Sequence, residues 1–254
     1  MWGEVMKLFR CSSLHKLIGD AQSIANELRN DEINTLIRKK KRTDEEDALI
    51  QKLKNKSLST SAKSEIRKVV KEDLTNTHKF KGNLATEKGN FLEDMAIELS
   101  GKMRFRKFQK HVGRLENEFI TGECDVLDRE NRMILDTKCS LDIDTHPWFA
   151  DEAMEKVKDA GYDIQMQGYM WLYDCDVAHV DFWLLPTPVE LLNGWDDIEY
   201  MVNAIEAIDI RERLTTVIIE RDESVIQKIK DKIPHCQEYY AKLFAERSKG
   251  KVAA

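Results

Sequence analysis

Three residues stand out for the chemistry they could do: Asp125 in TGECDVLD, and Asp136 and Lys138 in MILDTKCS. Apolar and polar residues alternate through both stretches, which reads as two strands joined by the short polar turn DREN. Residues two apart in a strand share a face, so Asp136 and Lys138 stand side by side. Opposed residues on neighbouring strands lie about 5 Å apart, close enough for Asp125 and Asp136 to share a divalent cation. Without a cation the two carboxylates repel and one pKa rises. Oxygen ligands, a metal with an open position and an adjacent ammonium form the set needed for metal-assisted hydrolysis of a phosphodiester. Taken alone, Asp-x-Lys is a weak signal and reads first as a salt bridge at a strand end.

Two further groups are candidates for the same site. In TEKGNFLEDMAIELSG, read as a helix over 86–101 stopped by Gly101, Gly89, Glu93 and Ala96/Ile97 share one face. Glu93 therefore lies among small and apolar neighbours, where a glutamate needs a partner such as a metal; an ordinary surface glutamate is the alternative. In YDIQMQGYMWLYD, Gln165 and Tyr169 are four apart on one helical face. They read either as polar groups bounding a core helix or as a pair directed at the metal or a DNA backbone. Arg10, Ser12 and Ser13 sit at a helix start, where free backbone N–H groups can bind an anion and where serine also serves as a plain N-cap.

These residues need a scaffold. Helical periodicity is expected over 13–29, 57–74, 86–101, two stretches after Pro147, a segment near WDDIEYMVNAIEAI and a long C-terminal run. RFRKFQKHV, NEFITGECDVLD and RMILDTKCSL read as three antiparallel strands, followed later by VAHVDFWLLP and TTVIIERD. The order helix, three strands, helices and strand signals an α/β core with extra helices at both ends. The tract at about 31–56, with a basic block before an acidic one, reads as a solvated helical insertion or mobile segment, or else as a basic arm touching DNA.

Composition bounds the class. At 254 residues the chain can bury a sizeable core, and no apolar run nears the roughly 18 residues needed to span a membrane. The N-terminus lacks the pattern of a signal peptide, and the five scattered cysteines contain no C-x-x-C, so a cytoplasmic setting is expected. The six histidines show no metal-ligand spacing, and Trp148 in DTHPWF reads first as a packing residue, with base stacking as the alternative. Net charge is −6, but residues 1–82 hold 18 Lys and Arg against 12 Asp and Glu, while the rest hold 22 against 34. The overall sign therefore does not exclude nucleic acid.

Together, G-x-x-x-E, G-x-x-D, D-x-K after a short turn, and Q-x-x-x-Y resemble the PD-(D/E)xK nuclease superfamily, in its phage lambda-exonuclease/YqaJ-like (RecB-type) branch. The resemblance runs from RCSSLHKLI to the terminal TTVIIERDESVIQKIKDKIPHCQEYYAKL, over residues 8–245. It implies a restriction-endonuclease-like core in a single nuclease domain over 1–254. It assigns Glu93, Asp125, Asp136 and the Thr137 backbone carbonyl to one or two Mg²⁺ ions, with Mn²⁺ as a substitute. Lys138 then orients and helps deprotonate the attacking water, Gln165 and Tyr169 support the site, and Arg10, Ser12 and Ser13 receive a 5′-phosphate. The implied activity is 5′ to 3′ resection of linear double-stranded DNA for phage-type recombination and repair, with a single-strand annealing protein as partner and a homo-oligomeric ring as assembly. An endonuclease of the same superfamily and a non-catalytic DNA-binding recombination protein are the alternatives. Cys124 stands where the name-giving proline is found, the (D/E)xK acid is the shorter Asp, and the four-cysteine iron–sulfur signature of several relatives is absent.

Overall fold

A computed structural model describes residues 6–77 and 82–248. In chain order the elements are β1 (Phe9–Arg10), α1 (Leu14–Leu17), α2 (Asp31–Arg38), α3 (Asp44–Lys56), α4 (Thr60–Thr75), α5 (Leu84–Met103), β2 (Leu115–Glu116), β3 (Ile120–Gly122), β4 (Val126–Asp128), β5 (Met133–Cys139), α6 (Ala150–Ala160), α7 (Tyr162–Tyr173), β6 (Val177–Trp183), α8 (Ala204–Glu206), β7 (Leu214–Glu220) and α9 (Glu223–Ser248). The chain divides into two compact units. One takes its described residues from Met1–Lys79, Glu116–Thr121 and Glu223–Ala254, the other from Phe80–Leu115 and Gly122–Asp222. No helix of the described residues is long and apolar enough to cross a membrane.

In the first unit the charged tract is helical, because its termini are capped by its own side chains. Asn30 accepts from the Ile33 N–H, and Thr43 and Glu46 form a reciprocal capping box that starts α3. Ile24, Ile33 and Ile50 supply a small core beneath these helices. Helix α9 packs on α4, and the buried Lys232 ammonium donates to the Asn55 and Ser57 carbonyls at 2.7 and 2.8 Å. Phe9 and Arg10 pair in parallel with Ile120 and Thr121. The helix expected over 13–29 is not continuous: α1 ends at Leu17, and the chain bends at Ile18 and runs on without regular structure through Gly19 and Asp20. Glycine carries the highest backbone entropy cost in a helix, and tertiary burial of Leu14 and Leu17 anchors only the first turn.

The second unit is built on a four-stranded sheet of order β4-β5-β6-β7, antiparallel at both edges and parallel between β5 and β6. The parallel pair needs a crossover, which α6 and α7 provide. Gly161, with φ 73°, ends α6 and lets α7 begin at the next residue. Met133 to Thr137 are buried without a break, as a central strand covered on both faces requires. Helix α5 packs across β5 through Leu92, Ala96 and Ile97, with Trp183 and Leu135 among their partners.

Three expectations are corrected here. RFRKFQKHV does not form a strand: of its apolar residues only Phe108 packs inward, Phe105 is fully exposed at φ 55°, and a single backbone bond, His111 N–H to the Asp125 carbonyl, joins the segment to the edge beside β4. Its charges are spent on ion pairs instead, Arg106 with Asp128 and Lys110 with Glu93. NEFITGECDVLD is divided between two sheets as β3 and β4. Gly101 does not stop α5, which runs on to Met103. A Cβ at Gly101 would come within 2.7 Å of the Arg106 carbonyl oxygen, so the glycine admits the returning chain.

Candidate functional site

The exit of β5 sets two side chains on one face. Asp136 is only 2% exposed, and Lys138 sits against its Oδ2 as an ion pair that lacks hydrogen-bond alignment. That buried oxygen therefore has no aligned donor. Burial raises the Asp136 pKa; Lys138 opposes the rise, while Asp125 and Glu93 add to it. Burial works against the Lys138 ammonium, but Asp136 and Asp125 outweigh it and hold that pKa above its usual range. The Tyr162 ring, at the start of α7, lies 4.9 Å from Lys138 Nζ and adds a cation–π contact.

Asp125 stands immediately before β4. The antiparallel register pairs Val126 with Leu135, so Asp125 comes next opposite Asp136. Its Oδ2 accepts from the Thr137 N–H at 2.7 Å and the Thr137 hydroxyl at 3.1 Å, which fixes the carboxylate against β5. The preceding Cys124 thiol is pushed well up by burial and then by Asp125, so it is no thiolate. Glu93, on α5, accepts from Lys110 at 2.6 Å, and that bond raises the lysine's pKa. Among the described residues no three His, Cys, Asp or Glu side chains are grouped to hold a metal ion. The Asp136 carboxylate, the Asp125 carboxylate and the adjoining Thr137 backbone nevertheless form an all-oxygen set, which suits a hard divalent cation.

These groups open on a cleft of about 520 Å³, lined among others by Gly89, Glu93, Asp125, Lys138, Lys156 and Tyr162. A Cβ at Gly89 would meet nothing within 4 Å. Asp136 is buried and does not itself line the cleft. Gln165 and Tyr169 do contact each other, Nε2 to hydroxyl at 3.1 Å, but both are buried and neither lines the cleft. Arg10, Ser12 and Ser13 belong to the other compact unit. There Cys11–Ser13 is a short 3-10 turn, and neither Arg10 nor Ser13 makes a side-chain cap to the helix it precedes. The sequence reading overlooked Lys110, Lys156 and Tyr162. Tyr162 had a signal, an aromatic three residues before Gln165 on the same helix; the two lysines were indistinguishable from solvated charges.

No protein-family model matches the chain, and no curated protein matches it. Among solved structures, a phage-related exonuclease of Haemophilus somnus 129PT is 44% identical over 95% of this chain and 97% of its own, with a TM-score of 0.81. An alkaline exonuclease, LHK-Exo of Laribacter hongkongensis, shares the fold at 16% identity over 77% of this chain and 88% of its own, TM-score 0.53. A structure of LHK-Exo in complex with dAMP aligns at 18% identity over 77% and 87%, TM-score 0.50.

Proposed function

The chain belongs to the phage lambda-exonuclease/YqaJ-like branch of the PD-(D/E)xK nucleases, and on that premise we propose that it digests linear double-stranded DNA from 5′ ends with Mg²⁺. The observation that carries the site assignment is the buried Asp136 carboxylate, held against Lys138 and beside Asp125, with Lys138 and Asp125 lining a cleft. Asp125, Asp136 and the Thr137 backbone carbonyl would hold the ion, with Glu93 contributing once released from Lys110. A bound Mg²⁺ supplies Lewis-acid polarisation of the phosphate and a more acidic water. Lys138 orients the water that attacks phosphorus and offsets the charge that develops on the phosphate oxygens. The bond from phosphorus to the 3′ oxygen of the leaving nucleotide breaks, so each turnover releases a 5′-mononucleotide. The dAMP held by LHK-Exo is a product of that class.

Gln165 and Tyr169 brace α7, and Arg10, Ser12 and Ser13 are offered for the 5′-phosphate. The chain would act as one nuclease domain in the host cytoplasm, and Mn²⁺ would substitute for Mg²⁺. The recombination role, an annealing partner and a ring assembly rest on family membership alone. Incubation with 5′- or 3′-labelled linear duplex and with a closed circle, with and without Mg²⁺, tests the reading. Mononucleotides released from the 5′ end, an intact circle and no hydrolysis in chelator are expected. Cutting of the circle would identify an endonuclease instead. Full activity in Asp136→Ala would remove the mechanism.

A further inference from the structure

Two lysines line the cutting centre, and one of them forms no salt bridge among the described residues. Lys138 is paired with Asp136, and Glu93 with Lys110. Lys156, on α6, lines the same cleft and has no carboxylate partner among the described residues. Its Nζ donates to the Thr145 carbonyl at 2.5 Å and lies 5.5 Å from the centre of the Phe182 ring, which lines the cleft as well. Burial lowers its pKa, and Asp142 partly restores it. A half-buried ammonium with N–H donors to spare, on a cleft lined by two carboxylates and two lysines, is a place for an anion.

The same lysine also borders a second cleft of about 350 Å³, formed by the loop after β5 and the first turns of α6. Its aromatic element is Trp148, whose Nε1–H is fixed on the Ile143 carbonyl at 2.9 Å and whose ring meets His146 edge-on at 4.8 Å. The Glu152 carboxylate is occupied by the Trp148 and Phe149 amides, which locks the loop to the helix. The indole is thus held rigidly, half-exposed, at little further entropy cost to a ligand.

We propose that Lys156 binds a backbone phosphate adjoining the scissile one, and that the Trp148 cleft takes the base of the attached nucleotide by stacking. A DNA strand then runs from Asp136 and Lys138, across Lys156, to Trp148. The proposal rests on the nuclease reading above and adds a nucleotide subsite to it. Base stacking on a fixed aromatic ring is tolerant of sequence, as digestion of arbitrary DNA requires.

Fluorescence polarisation of a labelled 5′-phosphorylated duplex, with Ca²⁺ in place of Mg²⁺ and over a range of KCl, tests it. Lys156→Gln should weaken binding and lower the slope of log K against log salt by about one, the signature of one lost phosphate contact, and Lys156→Arg should restore both. In turnover, KM rises while kcat is kept. Trp148→Ala should weaken binding by about tenfold with the salt slope unchanged, and Trp148→Phe should retain affinity. Should Lys156→Gln fail to fold, Lys156→Ala takes its place, with circular dichroism as the check. A wild-type salt slope in the folded neutral variant overturns the phosphate contact, and wild-type affinity in Trp148→Ala overturns the base subsite. Wild-type protein that cuts DNA while these variants bind normally refutes only this inference; wild-type protein that neither binds nor cuts refutes the nuclease reading with it.

Discussion

Lys138 stabilises the fold as well as facing the cleft. Asp136 is a nearly sealed carboxylate, and its neighbouring ammonium is what makes its ionised form tolerable. Removing one partner of such a pair leaves an uncompensated buried charge, whereas removing both does not. Lys138→Met is therefore expected to lose hydrolysis and roughly 3 kcal/mol of stability in urea denaturation. The double variant Asp136→Asn/Lys138→Met should regain most of that stability and none of the activity. His146 supplies a second test. It is 2% exposed, and burial, reinforced by Lys156, lowers its pKa from 6.5 to about 4. The unfolded chain then takes up the proton first, so stability is full above about pH 6.5 and falls as pH drops from there to about 4. The difference corresponds to roughly 3 kcal/mol. Because the raised Asp136 pKa acts in the opposite sense over the same range, the test is the difference: between pH 7.5 and 4.5 the urea midpoint of wild type should fall relative to that of His146→Gln.

Helix α5 carries two glycines with opposite reasons for being glycine. At Gly101 an added methyl would meet the Arg106 carbonyl oxygen at 2.7 Å and the Phe108 nitrogen at 3.0 Å, both backbone atoms that cannot swing aside. Gly101→Ala should cost about 1–3 kcal/mol by thermal or chemical unfolding. At Gly89 a methyl would enter open cleft space, and the helix would gain about 1 kcal/mol from alanine's higher propensity. Gly89→Ala should thus melt higher and cut DNA more slowly. A variant that melts higher with undiminished cutting would show that nothing approaches the helix there. The same helix is clamped at its other end by Asp181, fully buried, which accepts from Ser100 at 2.6 Å, from Arg104 twice at 2.8 Å and from Thr216 at 2.7 Å. With every lone pair spoken for, that network rigidifies the segment leading into Glu93's partner Lys110.

Along the full chain, charge is divided unevenly, and local pairing decides how much of it is available. Within the basic block 38–42, two of the five cations are paired inside the same helical pair, Lys39 with Glu46 at 2.7 Å and Arg42 with Asp47 at 2.5 Å. Cations already neutralised release no counterions on meeting phosphate. Replacing Lys39 and Arg42 together by Ala is expected to leave duplex affinity within about twofold and the salt slope unchanged, in contrast to Lys156. A clear drop in slope would show that these two cations meet phosphate despite their partners.

The chemistry-bearing spacing was readable without coordinates because it is local. Asp136 and Lys138 share a face by the pleat of one strand, Asp125 reaches Asp136 across one short turn, and Gly89 and Glu93 share a face by one helical turn. The capped charged helices were legible for the same reason, since a capping box is written within four residues. Folding alone decided what depends on partners far apart in the chain. It set Lys110 on Glu93, Phe9 beside Ile120, and Lys156 between two clefts, and it drew RFRKFQKHV out of the sheet into ion pairs. Periodicity records which face of a segment is apolar. Which surface covers that face, and whether a charge ends up paired or free, is settled only when the chain closes on itself.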